Sequence, residues 1–259
     1  MQTYPFRLGT TSYIIPDDIL PNAHYLADKV RDIELILFEV DDGPNNLPSP
    51  EVIEELSQIA GEHDLTYTVH LPLDLKLGED GSERDQSLVK AKRVIDCTRE
   101  LAPWAYVLHL DGRSVRTSTD TELIKRWQDQ SVRALEIVAE WAGEAQKLAV
   151  ENLETYPLDF IQPVLDRIPV SRCVDIGHLW LDGHDPIPYL QAAMPRTRVI
   201  HMHGIAERDH RSLRFIPQEK VHAVWEELIR ANYEGVLTLE IFSEQDFVSS
   251  LEVIERVSS

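Results

Sequence analysis

Apolar residues fall along this chain in short, nearly unbroken runs, separated by longer segments where they recur every three or four positions. The runs lie at 33–40, 65–70, 105–110, 148–152, 170–175, 199–203 and 236–241, and the more polar FRLGTTSY at 6–13 reads as a first short strand. Most are continuous rather than alternating, as in IELILFEV at 33–40, which is the pattern of parallel strands covered on both faces. Between them a 3.6-residue period predicts helices. One spans 19–30 after Asp17 and Asp18, and another opens at Pro50 behind the cap Ser49, with Val52, Ile53, Leu56, Ile59 and Ala60 inward. A third covers 86–101, burying Val89, Val94 and Ile95. Thr119-Asp120-Thr121-Glu122 matches a capping box, continued by Ile124, Trp127, Ala134, Val138 and Trp141. Further helices are predicted at 158–167, 185–193, 218–230 and 244–257. Strand–helix repetition through 259 residues predicts a single α/β domain spanning 1–259, a (β/α)8 TIM barrel, with a doubly wound open sheet as the competing arrangement. No linker or low-complexity tract divides it.

Composition narrows the function classes through charge. Forty-five acidic residues against 25 basic ones give a formal charge of −20, which repels nucleic-acid backbones and anionic membranes. The densest basic group on a predicted loop is Arg208, Arg211 and Arg214. A small-molecule substrate is therefore expected, with no nucleic acid and no membrane as partner. No stretch of about 18 apolar residues occurs, the segment MQTYPFR lacks a secretory pattern, and Cys97 and Cys173 show no metal or redox spacing. A cytoplasmic location is the expectation.

The chemistry gathers where the strands end, the end at which such barrels build their sites. Those positions read Glu39, His70, His109, Glu151, Asp175 with His178, His201 with His203, and Glu240, while the loop after strand seven adds Asp209 and His210. Taken singly, His70 and His109 also fit hydrogen-bonded core histidines, and Asp175 fits a helix cap. Glu151 and Glu240 resist that reading, because an unpaired buried carboxylate is costly. Glu39 and His203 suit hydrogen-bonding roles, His24, His63 and His222 suit the surface, and His184 is open. Together these residue types predict divalent metal ions, Zn, Mn or Fe. The set suffices for about two or three ions, with Glu151 bridging.

Read in order, the motifs resemble the xylose-isomerase-like TIM-barrel superfamily of sugar isomerases, epimerases and endonuclease IV. Asp175-Ile176-Gly177-His178 followed by Gly183-His184-Asp185-Pro186 is similar to its strand-six signature, and Glu151-Asn152 to its strand-five signature. The resemblance extends over essentially the whole chain. It implies metal ligands in the manner of the endonuclease IV branch: His70, His109, Glu151, Asp175, His178, His201, Asp209, His210 and Glu240. The branch's Asp-x-His is matched in part, since Asp209 and His210 are adjacent. The smaller one-metal set of the isomerases is satisfied by Glu151, Asp175, His201 and Glu240.

Three stretches, LGTTSYIIPDDIL at 8–20, VDDGPNNLP at 40–48 and VHLPLDL at 69–75, resemble the CbiR phosphodiesterases of cobamide remodelling. The implied activity is metal-dependent hydrolysis of the nucleotide-loop phosphoester of a corrinoid. On that reading Glu151 and Glu240 are catalytic, Arg208 or Arg211 holds phosphate, and Tyr13, Tyr156 and Trp180 are pocket walls. The alternative is a sugar or keto-acid isomerase or epimerase, with one divalent metal and the same two glutamates moving a proton. A corrinoid- or sugar-binding protein on a degenerate barrel is the non-enzymatic rival.

Overall fold

A strand with apolar residues on both faces has to be covered on both, and a closed barrel inside a ring of helices does this. In the computed structural model, which describes residues 4–38 and 45–258, the runs form a closed barrel in the order β1 to β8. The strands are β1 (Arg7–Thr11), β2 (Asp32–Ile36), β3 (Thr66–His70), β4 (Tyr106–Leu108), β5 (Leu148–Glu151), β6 (Ser171–Asp175), β7 (Thr197–Met202) and β8 (Val236–Leu239). Every pairing is parallel, and β8 closes on β1 with Leu8 opposite Leu237. The molecule is a single-domain α/β TIM barrel.

Side chains alternate across each strand, so parity decides what faces the barrel axis. Leu108, Val150, Val174 and Ile200 belong to the large core shared with the helices. Val107, Ala149, Cys173 and Val199 form a separate small cluster between the strands. Two residues further on, with the same parity, stand His109, Glu151, Asp175 and His201. The same step from Thr68 and Thr238 reaches His70 and Glu240. Register aligns them laterally, with Asp175 opposite His201 and His201 opposite Thr238.

The helices are α1 (Ile19–Leu26), α2 (Pro50–His63), α3 (Gln86–Thr98), α4 (Thr121–Ala142), α5 (Gln162–Leu165), α6 (Ile176–Leu181), α7 (Pro186–Ala193), α8 (Gln218–Arg230) and α9 (Glu244–Val257). Ser49 caps α2 as expected, accepting from the Val52 amide. Elsewhere boundaries move for local reasons. Asp120, not Thr119, caps α4, because its carboxylate takes both the Glu122 and Leu123 amides. The helix expected over 158–167 shrinks to α5, since Pro163 lacks the N–H that an earlier start would use. The helix expected over 19–30 ends at Leu26, and the second strand at Ile36. Glu39, and most of the 40–48 stretch, lie outside the described residues. Both cysteines are free. Among the described residues no helix is long and apolar enough to cross a membrane.

One acid sits low in the barrel wall. Asp32 is fully buried on β2, takes a 2.6 Å hydrogen bond from the Thr66 hydroxyl on Oδ2, and has no partner on Oδ1. Burial pushes its pKa from the usual 3.8 up to about 7 against that hydroxyl's opposing effect. The unfolded chain therefore releases this proton first as pH rises. Stability that is complete below the ordinary carboxylate range is lost progressively until the folded group ionises near pH 7. Asp32→Asn is expected to melt with the wild type near pH 4 and roughly 5–10 °C above it at pH 8. A constant difference across that range in a thermal-melt series would contradict this account.

Candidate metal centre

The inward-facing strand-end residues meet around one buried carboxylate. Glu151 Oε2 lies 3.3 Å from His109 Nε2, 3.6 Å from His70 Nε2 and 3.5 Å from His201 Nδ1. His201 Nδ1 is in turn 3.2 Å from Glu240 Oε2 and 4.0 Å from Asp175 Oδ2. On the far side, His210 Nε2 approaches Glu240 Oε2 at 3.3 Å, and His203 Nε2 approaches Asp175 Oδ1 at 3.5 Å. Three of the ligand-competent groups that form are His70, His109 and Glu151; Glu151, Asp175, His201 and Glu240; and His178, His203 and His210. A fourth joins Cys173 to Glu151 and His201. In each, one donor atom per residue lies within 4.8 Å of the others.

Local structure explains how each imidazole is aimed. Asp175 ends β6 and caps α6, accepting from the His178 amide at 2.7 Å, so strand end and first helical turn share one space. Gly177 is required there, since a Cβ would sit 2.2 Å from His203 Nε2. His70 Nδ1 donates to the Leu71 carbonyl at 2.9 Å and His178 Nδ1 to the Asn152 carbonyl at 3.0 Å. His109 Nδ1 is 3.3 Å from Asp74 Oδ1, and His201 Nε2 is 2.9 Å from Glu34 Oε2. In all four the other ring nitrogen is left to serve as a ligand, the arrangement by which outer carboxylates and carbonyls orient metal-binding histidines.

Burial leaves several donor atoms of this array without a hydrogen-bond partner. Glu151 Oε1, Asp175 Oδ2, His201 Nδ1, His203 Nε2 and Glu240 Oε2 are buried with no hydrogen-bond partner, a condition native interiors avoid. Burial tends to raise the pKa of Glu151, yet His201 and His109 beside it hold the carboxyl well below the usual range. Glu240 is held down likewise, against its burial, by His201 and His210. Burial opposes the charging of His109, but Glu151 and Asp74 push its pKa up to about 10. For His210 burial is outweighed by Glu240 and Asp209, to about 9. The acids thus demand positive charge, and the mixed imidazole–carboxylate donor set suits divalent Zn, Mn or Fe. The residues present fit such ions.

The structure places other expected residues differently. Asp209 contacts His210 Nδ1 at 3.1 Å and joins none of these donor groups, while His203, first assigned to hydrogen bonding, stands in one. His210 takes a left-handed backbone, φ +52°, and its ring stacks on His203 with centroids 4.3 Å apart. Arg211 is tied to Asp246 at 3.0 Å and to Glu207, and Arg208 is exposed. Neither lines the central cavity, a space of about 470 Å³ walled by the His/Glu cluster, Asp74, Arg113, Arg116, Tyr156 and Phe242. Trp180 is buried in the core, and Tyr13 accepts from Asn46 and lies tilted against the Phe38 ring, both away from that lining. Glu34, Asp74, Arg113 and Arg116 went unnoticed in the sequence. An acid inside the apolar run at 33–40 was the available signal for Glu34.

A family model described as the xylose isomerase-like TIM barrel matches residues 28–257. The chain belongs to this family. Among solved structures it is similar to a D-tagatose 3-epimerase-like protein, with TM-score 0.74, 17% identity, and 98% of this chain and 97% of that one covered. It is similar to the 3-keto-D-glucoside 4-epimerase of E. coli, with TM-score 0.68, 18% identity and coverage of 98% and 99%. It is also similar to endonuclease IV of Thermus thermophilus, with TM-score 0.69, 16% identity and coverage of 96% and 99%. At such identities the likeness is one of fold. In a comparison with curated proteins nothing matches.

Glu34 acts on the centre only through His201. Glu34→Gln is expected to weaken Mn²⁺ or Zn²⁺ binding by roughly tenfold or more while the fold stays intact. Chelator competition on wild type and variant measures this, and equal affinities would remove Glu34 from the account.

Proposed function

We propose that this family member is a metal-dependent phosphodiesterase acting on a small molecule, with a cobamide as the candidate substrate. The observation that carries the proposal is the surplus of ligands. Glu151, Asp175, His201 and Glu240 already suffice for one divalent ion. His70 and His109 on one side, and His178, His203 and His210 on the other, extend the array past what a single ion uses. Side-by-side cations sharing a carboxylate are the arrangement that clamps a phosphoryl group. The corrinoid rests on the resemblance of the stretches at 8–20, 40–48 and 69–75.

When bound, such ions supply Lewis acidity to phosphate oxygens and acidify water. The chain's own part is positional. Glu151, shared by His70, His109 and His201, holds the neighbouring donor groups at a fixed separation. Glu240 faces the cavity and is kept ionised by His201 and His210, so it can accept a proton from the attacking water. The formal charge of −20 argues against a nucleic-acid substrate.

A second reading is favoured by the comparisons: of the three structures named above, one is an epimerase and another an epimerase-like protein, and the quartet by itself fits a one-metal centre. There Glu151 and Glu240 would remove and return a carbon-bound proton. The two readings part on substrate. With Mn²⁺ loaded, the protein is expected to cleave adenosylcobalamin at its phosphodiester and to leave D-tagatose and D-fructose unchanged, as read by chromatography. Epimerised ketose with intact cobamide would transfer the assignment to the second reading. Glu240→Gln is expected to lower the cleavage rate by about 10²–10⁴-fold with KM little altered.

A further inference from the structure

If the substrate carries a phosphate, it enters a strongly acidic chain, and one cavity residue offers a fixed positive charge to meet it. We infer that Arg116 forms an anion subsite in the cavity wall, taking an oxygen of the substrate's phosphate. The inference rests on the phosphodiesterase reading and deepens it by assigning the substrate's charge to a place.

The loop between β4 and α4 brings both Arg113 and Arg116 to the cavity. Their partners differ. Arg113 grips the Asp111 carboxylate through Nε and Nη2, each at 3.0 Å, with Asp74 3.8 Å away, so its charge is already matched. Arg116 forms no ion pair among the described residues. Its Nη1 donates to the Thr155 hydroxyl at 2.6 Å, and its Cζ lies 5.2 Å from the centre of the Tyr156 ring. Nε and Nη2 find no acceptor among the described residues. In a chain of charge −20, a cavity guanidinium without a carboxylate is a place kept for an anion from outside.

The surroundings hold Arg116 in that pose. Thr155 sits in the left-handed region, φ +63°, with its amide bonded to Asp182 Oδ2 at 2.6 Å, and this presents its hydroxyl to the guanidinium. Gly112 lets the loop lie flush on the aromatic pair beneath, because a Cβ there would come 2.4 Å from Phe160 and 2.9 Å from Tyr156. A guanidinium stacked on a ring and anchored by one nitrogen offers its remaining edge in the geometry that suits phosphate. A neutral ketose can accept hydrogen bonds from that edge but brings no negative charge, so the subsite favours phosphate-bearing substrates.

Inorganic phosphate is the probe, titrated calorimetrically into the Mn²⁺-loaded full chain. Arg116→Ala is expected to weaken phosphate binding about tenfold or more, and Arg116→Lys by less. Arg126→Ala, the same charge change at an exposed site on α4 off the cavity, is expected to stay within about twofold of the wild type. Metal content by elemental analysis is expected to be equal in all four proteins. Phosphate binding unchanged in Arg116→Ala, equal weakening in Arg116→Ala and Arg126→Ala, or no phosphate binding by the wild type would each overturn the subsite. Diester cleavage alongside Arg116-independent phosphate binding overturns the subsite alone. Arg116-dependent phosphate binding without diester cleavage upholds the subsite and overturns the phosphodiesterase reading.

Discussion

A carboxylate buried at the axis of a barrel stays ionised only if positive charge stands beside it, and Glu151 is 1% exposed with one oxygen unpartnered. Much of the upper barrel answers that constraint. His70, His109 and His201 converge on one of its oxygens from strands on both sides, and Asp175 and Glu240 compete for the His201 imidazole. Strand parity makes the convergence possible. The side chains below, Ala149, Cys173 and Val199, are small and form a compact cluster under the layer of titratable groups.

A second tier keeps this layer ordered. Glu34, Asp74 and two main-chain carbonyls each hold the outer nitrogen of a ligand-competent imidazole. Rotating any of these rings would break a hydrogen bond in a buried place, so the inner nitrogens are presented before any ion arrives. Preorganisation of this kind lets a centre act on a substrate without rearranging at the moment of reaction. The cavity above joins that acidic layer to a wall carrying Arg113, Arg116 and Tyr156, so donors for cations and for an anion face one space.

The fold was readable because parallel strands leave a strong imprint, and the layer of site residues was readable because it recurs at strand ends. Glu151 and Glu240 each close an apolar run, where an unpaired carboxylate is costly, and Asp175 closes another while also capping the helix that follows. Glu34 escaped because its meaning depends on His201, 167 residues away across the barrel. His203 keeps the hydrogen-bonding role expected of it, its Nδ1 accepting from the His210 amide at 3.1 Å, but nothing in HMHG at 201–204 tells that Gly177 opens room for its ring beside the other donors. Arg211, a phosphate candidate in the sequence, is tied in the fold to Asp246 at the start of α9, a pairing its own stretch does not announce. Arg116 carried no local signal, since its role comes from two loops meeting at Thr155 and Gly112. Pairings that tertiary structure creates are the ones a linear pattern does not carry.

The central claim is that the array around Glu151 is shared by more than one cation. Elemental analysis of the purified protein after Mn²⁺ or Zn²⁺ loading, with wild type and His109→Ala side by side, tests it most directly. The account predicts about two or three equivalents per chain in the wild type, with about one lost in the variant. A single equivalent, unchanged by His109→Ala, would contradict it.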